Sequence, residues 1–270
     1  MGPVAVRVER EVVNQKRSGS LARSMKLWWL ILLACCGRAP LVDEPGAFYT
    51  WDDRTIHCAA EIDDSDSIPM TSIMDALDRA SSEGSVLELL VHRPGVSMTR
   101  DELTTLLQGV SERQLPFLTV KDMIAGPPRA GVALMFDDAY PDVWLGVEDL
   151  LMQYNAHVTL YITWYARIDQ HARDGIRQLA AYGHDIEAHS VNHIRGPNYV
   201  EAHGLDDYIA NEVIPSFEVL RADGYDPVSY AYPFGMRTDE IDQAVLASGY
   251  AKTVRALVQP NPARASACPL

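Results

Sequence analysis

The side chains best suited to chemistry are two adjacent carboxylates, Asp137 and Asp138, and two imidazoles four residues apart, His189 and His193. The carboxylates end the apolar run Val132 to Phe136. Placed there they repel each other and lose hydration, so they need a cation, a shared proton or strong hydrogen bonds. Taken alone, the pair is better read as a helix start ahead of Pro141, and it gains meaning only with a partner. His189 and His193 belong to the segment HSVNH, which follows a strand expected over Asp185 to Ala188. In a helical turn their rings converge on one ion, and two histidines with a carboxylate form an open metal set. The four cysteines make no paired CxxC pattern, so histidines and carboxylates must hold any metal.

The elements that must position these groups alternate. Strands are expected at Val86 to His92, Phe117 to Val120, Val132 to Asp137, His157 to Thr163, Asp185 to Ala188, Val228 to Tyr232 and Lys252 to Val254. Helices are expected at Arg100 to Glu112, Asp142 to Tyr154, Arg173 to Tyr182, Leu205 to Asp223 and Thr238 to Ser248, with a short one over Thr71 to Ala80. Gly84, Gly183, Gly224 and Gly249 stand where left-handed helix caps belong. Such alternation implies an α/β fold with a parallel sheet, open or closed into a barrel, whose chemistry gathers at the C-terminal strand ends.

At those ends MFDDAY (135 to 140) resembles an FDDG motif, HSVNH (189 to 193) matches H-[ST]-x-x-H, and AYPFG (231 to 235) resembles a PYG motif. These are the motifs of the polysaccharide deacetylase family (carbohydrate esterase family 4), and the resemblance covers roughly residues 86 to 255. It implies the NodB-homology fold, a distorted (β/α) barrel. It also implies Asp137 as general base and Asp138, His189 and His193 as ligands of one divalent ion, zinc foremost, with nickel, cobalt or iron as alternatives. The Phe234 backbone N–H would stabilise the oxyanion. The sequence departs from the pattern at Ala139 for Gly, Phe234 for Tyr and Ala231 for an Arg that orients the base, which leaves Asp137 without its usual charged partner. The opening LELLVHRPG (87 to 95) resembles the poly-N-acetylglucosamine deacetylase subgroup, where the acid motif precedes the base motif. That resemblance points to His92 as the acid, against the alternative of a surface histidine at a turn. Many members carry the acid on a later strand; either the sequence stops short of it or the acid lies elsewhere.

Among the aromatics near the strand ends, Trp164, Tyr165 and Tyr232 are candidate sugar-contacting residues, with core packing as the alternative. Before the domain, Met25-Lys26 and the ten apolar residues Leu27 to Cys36 have the layout of a secretory signal, too short to span a bilayer. Leu32-Leu33-Ala34-Cys35 resembles a lipobox, so Cys35 would carry a lipid anchor to the membrane; a plain signal peptide is the alternative. The expected organisation is residues 1–36 as extension and signal, 37–69 as an acidic linker, and 70–270 as the catalytic domain, extracytoplasmic at the cell envelope. Cys58 and Cys268 can pair there, although nothing in their spacing requires it.

With 23 basic against 37 acidic side chains, the net charge of −14 disfavours nucleic acid as a partner. The expected substrate is an acetylated amino-sugar polysaccharide of the poly-N-acetylglucosamine kind, with peptidoglycan next. An O-acetyl esterase or a glycan-binding protein without turnover are the rival readings.

Overall fold

The computed structural model describes residues 40–63, 68–258 and 267–268. The expected signal segment and Cys35 lie outside the described residues. Among those described, no helix is long and apolar enough to cross a membrane.

Eight strands form one sheet: β1 (Phe48–Tyr49), β2 (Ile56–Glu61), β3 (Val86–Val91), β4 (Gly131–Asp138), β5 (Thr159–Ile162), β6 (Asp185–Ala188), β7 (Ser229–Ala231) and β8 (Thr253–Leu257). The seven from β2 to β8 run parallel and in order. β8 then returns to β2, with His57 opposite Arg255 and Ala59 opposite Leu257, so the barrel closes. β1 adds antiparallel pairing at the start of β3. The helices alternate with the strands: α1 (Met70–Glu83), α2 (Arg100–Glu112), α3 (Val120–Ala125), α4 (Pro141–Leu145), α5 (Glu148–Gln153), α6 (Gln170–Ala181), α7 (Gly196–His203), α8 (Leu205–Tyr208), α9 (Ile214–Ala222) and α10 (Asp239–Ala247). This is the distorted (β/α) barrel that the alternation and the motifs lead one to expect.

Because strand side chains alternate between faces, each strand splits its residues between two environments. Outward residues such as Leu89, Leu134, Phe136, Leu160 and Ile186 form the large apolar core with the helices. Inward, Ala59, Val86, Leu90, Ala133, Met135, Tyr161, Ala231 and Leu257 make a smaller cluster. Polar groups share that interior. His57 Nδ1 lies 3.0 Å from Glu88, and the Val228 and Ser229 N–H groups donate to Glu187 at 2.7 and 2.6 Å.

This polar interior explains the main correction to the sequence reading. Residues 37–69 are not a linker throughout, because Ile56–Glu61 is a barrel strand paired on both sides. Its inward residues are His57, Ala59 and Glu61, so it lacks the apolar run of a buried parallel strand. Three smaller differences are local. Thr119 and Asp122 form a capping box that starts α3 where a strand was expected. The helix expected over 142–154 is two helices meeting around Gly146. The one expected over 205–223 is interrupted by a wide π-type turn, Ile209–Val213, just ahead of Pro215. Proline has no N–H for the helical ladder there.

A disulfide joins Cys58 of β2 to Cys268. The Arg237 guanidinium, buried and paired with Asp242, also donates to the Ala267 carbonyl, so two attachments hold residues 267–268 to the barrel.

Candidate functional site

Asp137 and Asp138 end β4, and His189 follows β6. With His92 after β3 and Arg255 on β8, they face one cleft of about 360 Å³ at the C-terminal rim of the barrel. Glu61, Arg93, Tyr140, His193 and Phe234 complete its walls.

The candidate ligands come together. His193 Nε2 lies 3.3 Å and His189 Nε2 3.8 Å from Asp138 Oδ1. One nitrogen or oxygen from each of the three side chains lies within 4.8 Å of the others. His189 Nδ1 is 2.9 Å from the Ala231 carbonyl, which fixes Nδ1–H as the donor and leaves Nε2 facing the cleft. Burial, with the neighbouring His193 and Arg255 charges, pushes the His189 pKa down to about 3 against the attraction of Asp137. Burial also lowers that of His193. Both rings are therefore neutral and able to ligate. Burial and the adjacent Asp137 raise the Asp138 pKa. Its Oδ1 is buried with no hydrogen-bond donor among the described residues. An orphaned carboxylate oxygen facing two neutral imidazoles is a donor set that fits a divalent cation.

Asp137 is held differently. The motif comparison leaves it without a charged partner; the structure supplies one from elsewhere in the sequence. Arg255 Nη2 donates to both Asp137 oxygens while its guanidinium lies 4.9 Å from the Tyr161 ring centroid. Arg255 is 1% exposed, and its Nε and Nη1 have no acceptor among the described residues. Burial drives the Asp137 carboxyl upward, but Arg255, His189 and His92 outweigh that and hold it below the ordinary aspartate value. Asp137 is thus held as a carboxylate beside the candidate ligands, its Oδ2 3.6 Å from His189 Nε2, and can accept a proton.

His92 follows β3, the strand beside β4, where Val91 pairs with Phe136. Its Nδ1 is 3.2 Å from Asp63 Oδ1 and 3.6 Å from Glu61. Asp63 Oδ2 also accepts the His92 N–H at 2.7 Å and the Ser97 hydroxyl at 2.5 Å. The Trp144 indole donates to the His92 carbonyl at 3.0 Å. Burial alone would lower the His92 pKa; the Asp63 bond and the charges of Asp137 and Asp138 raise it to about 9. His92 is a cation at neutral pH, with Nε2 the nitrogen left for the cleft.

The three aromatic candidates fare unequally. Trp164 packs beside His193, with ring centroids 5.4 Å apart. Tyr165 does not line the cleft; it is buried, its hydroxyl bonded to Asp223 and its ring edge-on to Tyr225. Tyr232 is wholly buried in the outer core against Tyr230, because strand alternation gives the inward place to Ala231. Phe234 does line the cleft, its ring 4.6 Å from that of His193.

Five non-glycine residues at this rim have left-handed backbone: Asp138 (φ 84°), Trp164 (φ 53°), Ser190 (φ 66°), His193 (φ 54°) and Phe234 (φ 59°). Each such conformation costs on the order of 1 kcal/mol or more and persists only where its surroundings enforce it. Gly235 (φ 64°) follows Phe234; a Cβ there would lie 2.8 Å from the Leu257 backbone nitrogen, so that position requires glycine.

Comparison with known proteins agrees with the fold. The family model described as polysaccharide deacetylase matches residues 125–253. No curated protein matches the chain. Among solved structures, the Streptococcus pyogenes deacetylase PplD in complex with acetate is 19% identical, with a TM-score of 0.50 over 65% of this chain and 92% of that one. The deacetylase domain of BpsB from Bordetella bronchiseptica is 15% identical, with a TM-score of 0.47 over 60% and 81% of the two chains. IcaB from Ammonifex degensii is 14% identical, with a TM-score of 0.43 over 76% and 91%.

Proposed function

We propose that the chain, whose residues 125–253 match the polysaccharide deacetylase family model, hydrolyses N-acetyl groups on an amino-sugar polysaccharide, using one divalent ion. One observation carries the reading: a single cleft gathers Asp137 and His92 with the candidate ligands Asp138, His189 and His193. A base and an acid facing one cleft are what amide hydrolysis needs.

Asp138, His189 and His193 would hold the ion, which when bound supplies polarisation of the acetamide carbonyl and a more acidic water. Asp137 accepts the proton of the attacking water as its oxygen adds to the carbonyl carbon. The Phe234 backbone N–H faces the developing oxyanion. His92 then gives its Nε2 proton to the amine as the C–N bond breaks, since an amide anion leaves poorly. Acetate and a free amino sugar result. Arg255 keeps Asp137 charged and oriented, and Asp63 does the same for His92.

The favoured polymer is poly-N-acetylglucosamine-like, on the resemblance of residues 87 to 95 to that subgroup, with peptidoglycan second. We place the protein outside the cytoplasm, on a lipid at Cys35. The Cys58–Cys268 disulfide supports an oxidising compartment, and the lipid rests on the sequence of residues 32–35.

The test is acetate release from N-acetylglucosamine oligomers by the purified protein, before and after chelation. Release that stops with chelator and returns with added divalent ion supports the reading. Oligomer binding without release would instead favour the glycan-binding role, and release confined to O-acetylated polymers would favour the esterase.

A further inference from the structure

One buried carboxylate beyond the cleft is used by none of the steps above. Glu212 lies in the π-type turn Ile209–Val213, outside the barrel, and is 2% exposed. Every bond it receives here comes from the loop between the two histidines. Its Oε2 accepts the Ser190 hydroxyl at 2.5 Å and the Asn192 N–H at 2.9 Å, and its Oε1 accepts the Asn192 side-chain amide. Its own carbonyl accepts the Val191 N–H at 3.3 Å. Thus each of the three residues between His189 and His193 is bonded to Glu212.

The donors are all neutral, so a buried carboxylate is here compensated only by hydrogen bonds, an expensive arrangement for a loop that needs merely to be closed. The loop has a reason to need it. Ser190 and His193 are both left-handed without being glycine. The loop has other anchors: His189 bonds the Ala231 carbonyl, the Thr163 hydroxyl donates to the Ser190 carbonyl at 3.1 Å, and the Arg167 guanidinium donates to the Asn192 side-chain oxygen. Among the described residues, Glu212 is the one bonded to Ser190, Val191 and Asn192 together, so it ties the whole rise from one imidazole to the next. The turn carrying Glu212 is wide just ahead of Pro215, which has no N–H to offer the Asn211 carbonyl, and wide turns of this kind recur at functional sites.

We propose that Glu212 is the positioning residue of the histidine loop: it holds His189 and His193 at ligand spacing before any ion arrives. The ion affinity of the cleft and the rate of the reaction therefore both depend on it. This rests on the reading of Asp138, His189 and His193 as cation ligands.

The experiment measures Co²⁺ affinity of the full chain by competition with a chromophoric chelator, together with the visible spectrum of bound Co²⁺, the thermal midpoint of the metal-free protein and acetate release. Glu212→Ala should weaken Co²⁺ binding about 10- to 100-fold, the usual range for residues supporting a ligand, and alter the spectrum. Glu212→Gln keeps an acceptor for Ser190 and the Asn192 backbone but faces the Asn192 amide with a second amide; its affinity should lie between the two. Phe217→Leu serves as a control for stability, since Phe217 is a buried core residue packed against Tyr230 and Tyr250. That variant should lower the thermal midpoint and leave Co²⁺ affinity unchanged. Wild-type affinity and spectrum in folded Glu212→Ala or Glu212→Gln would overturn the proposal. If wild-type protein binds no Co²⁺, the ligand assignment itself fails, a separate outcome.

Discussion

Replacing Arg255 by Met removes the charge facing Asp137 while keeping most of the side chain's volume over Tyr161. In the native protein Asp137 is 2% exposed and its carboxyl sits below the ordinary aspartate value because Arg255 outweighs burial. Without Arg255, burial acts against only His189 and His92, and the Asp137 pKa rises. Removing one partner of a buried pair typically costs about 3–5 kcal/mol, because the other charge is left uncompensated. The sign with pH follows. With its folded pKa depressed, native Asp137 contributes stability above its unfolded pKa, and that contribution disappears as pH falls through the folded value. In Arg255→Met the pKa is no longer depressed, so this contribution at neutral pH is lost or reversed. For activity the ceiling on the loss is the whole contribution of a general base, about 10² to 10⁴-fold. A loss near 10²-fold at neutral pH is expected, shrinking as pH rises and Asp137 ionises. The assay is acetate release across pH, read as kcat/KM, with thermal unfolding in parallel. The acid limb of the profile should move to higher pH, and Arg255→Lys should restore part of the shift. An acid limb that stays in place, with near-native rate, would refute Arg255 as the counter-ion of the base.

Asp138→Ala, His189→Ala and His193→Ala should each lose bound metal on elemental analysis, whereas Asp137→Asn should keep it and lose about 10² to 10⁴-fold in turnover; full metal in both histidine variants would sink the site. His92→Asn should keep metal and show a deficit larger on amide than on ester substrates, while Asp63→Asn should move the basic limb of the kcat/KM profile down from near pH 9, since the raised His92 pKa depends on Asp63. The same shift makes the His92–Asp63 contribution to stability full below about pH 6.5 and lost as pH rises through about 9. Reduction of Cys58–Cys268, which closes a loop across 210 residues, should destabilise the fold by about 2–5 kcal/mol and lower its thermal midpoint; an unchanged midpoint would show the bridge to be energetically idle. Cys35→Ser should abolish incorporation of a fatty-acid probe, and label that persists would assign the lipid to another cysteine.

The candidate ligand set was legible because Asp138, His189 and His193 sit in short segments whose spacing itself carries the chemistry. Arg255 was not, because it lies 118 residues from Asp137 in a strand, TVRAL, whose apolar surroundings give no sign that an arginine points inward. The same blindness hid β2. The pattern that marks a buried strand is apolarity, and this barrel keeps its apolar mass on the outside of the strands while its interior carries Glu88, Glu187, His57 and Arg255. Tyr165 and Tyr232 show the converse error. Proximity to a strand end suggested the cleft, but a single step along the chain reverses which side a residue faces, and the sequence does not state which step is inward. Glu212 left no trace at all, since one glutamate in a helical pattern looks like any solvated face.

The seam where β8 meets β2 has a kinetic meaning. Strands β2 to β8 add neighbour by neighbour, but the seam joins residues about 200 positions apart in sequence, the strand pairing with the greatest loop-closure entropy, and non-local pairing of this sort forms late. The candidate ligands, on β4 and after β6, need nothing from the seam. The candidate base does, because Arg255 belongs to β8. The candidate acid does not, because β2, which leads to Asp63, also pairs with β3, which leads to His92. A chain with its seam still open would therefore gather the candidate ligands and the His92–Asp63 pair while Asp137 still lacked its counter-ion. In such a protein, metal content would report an early stage of folding, and hydrolysis would report that the last strand pair had closed.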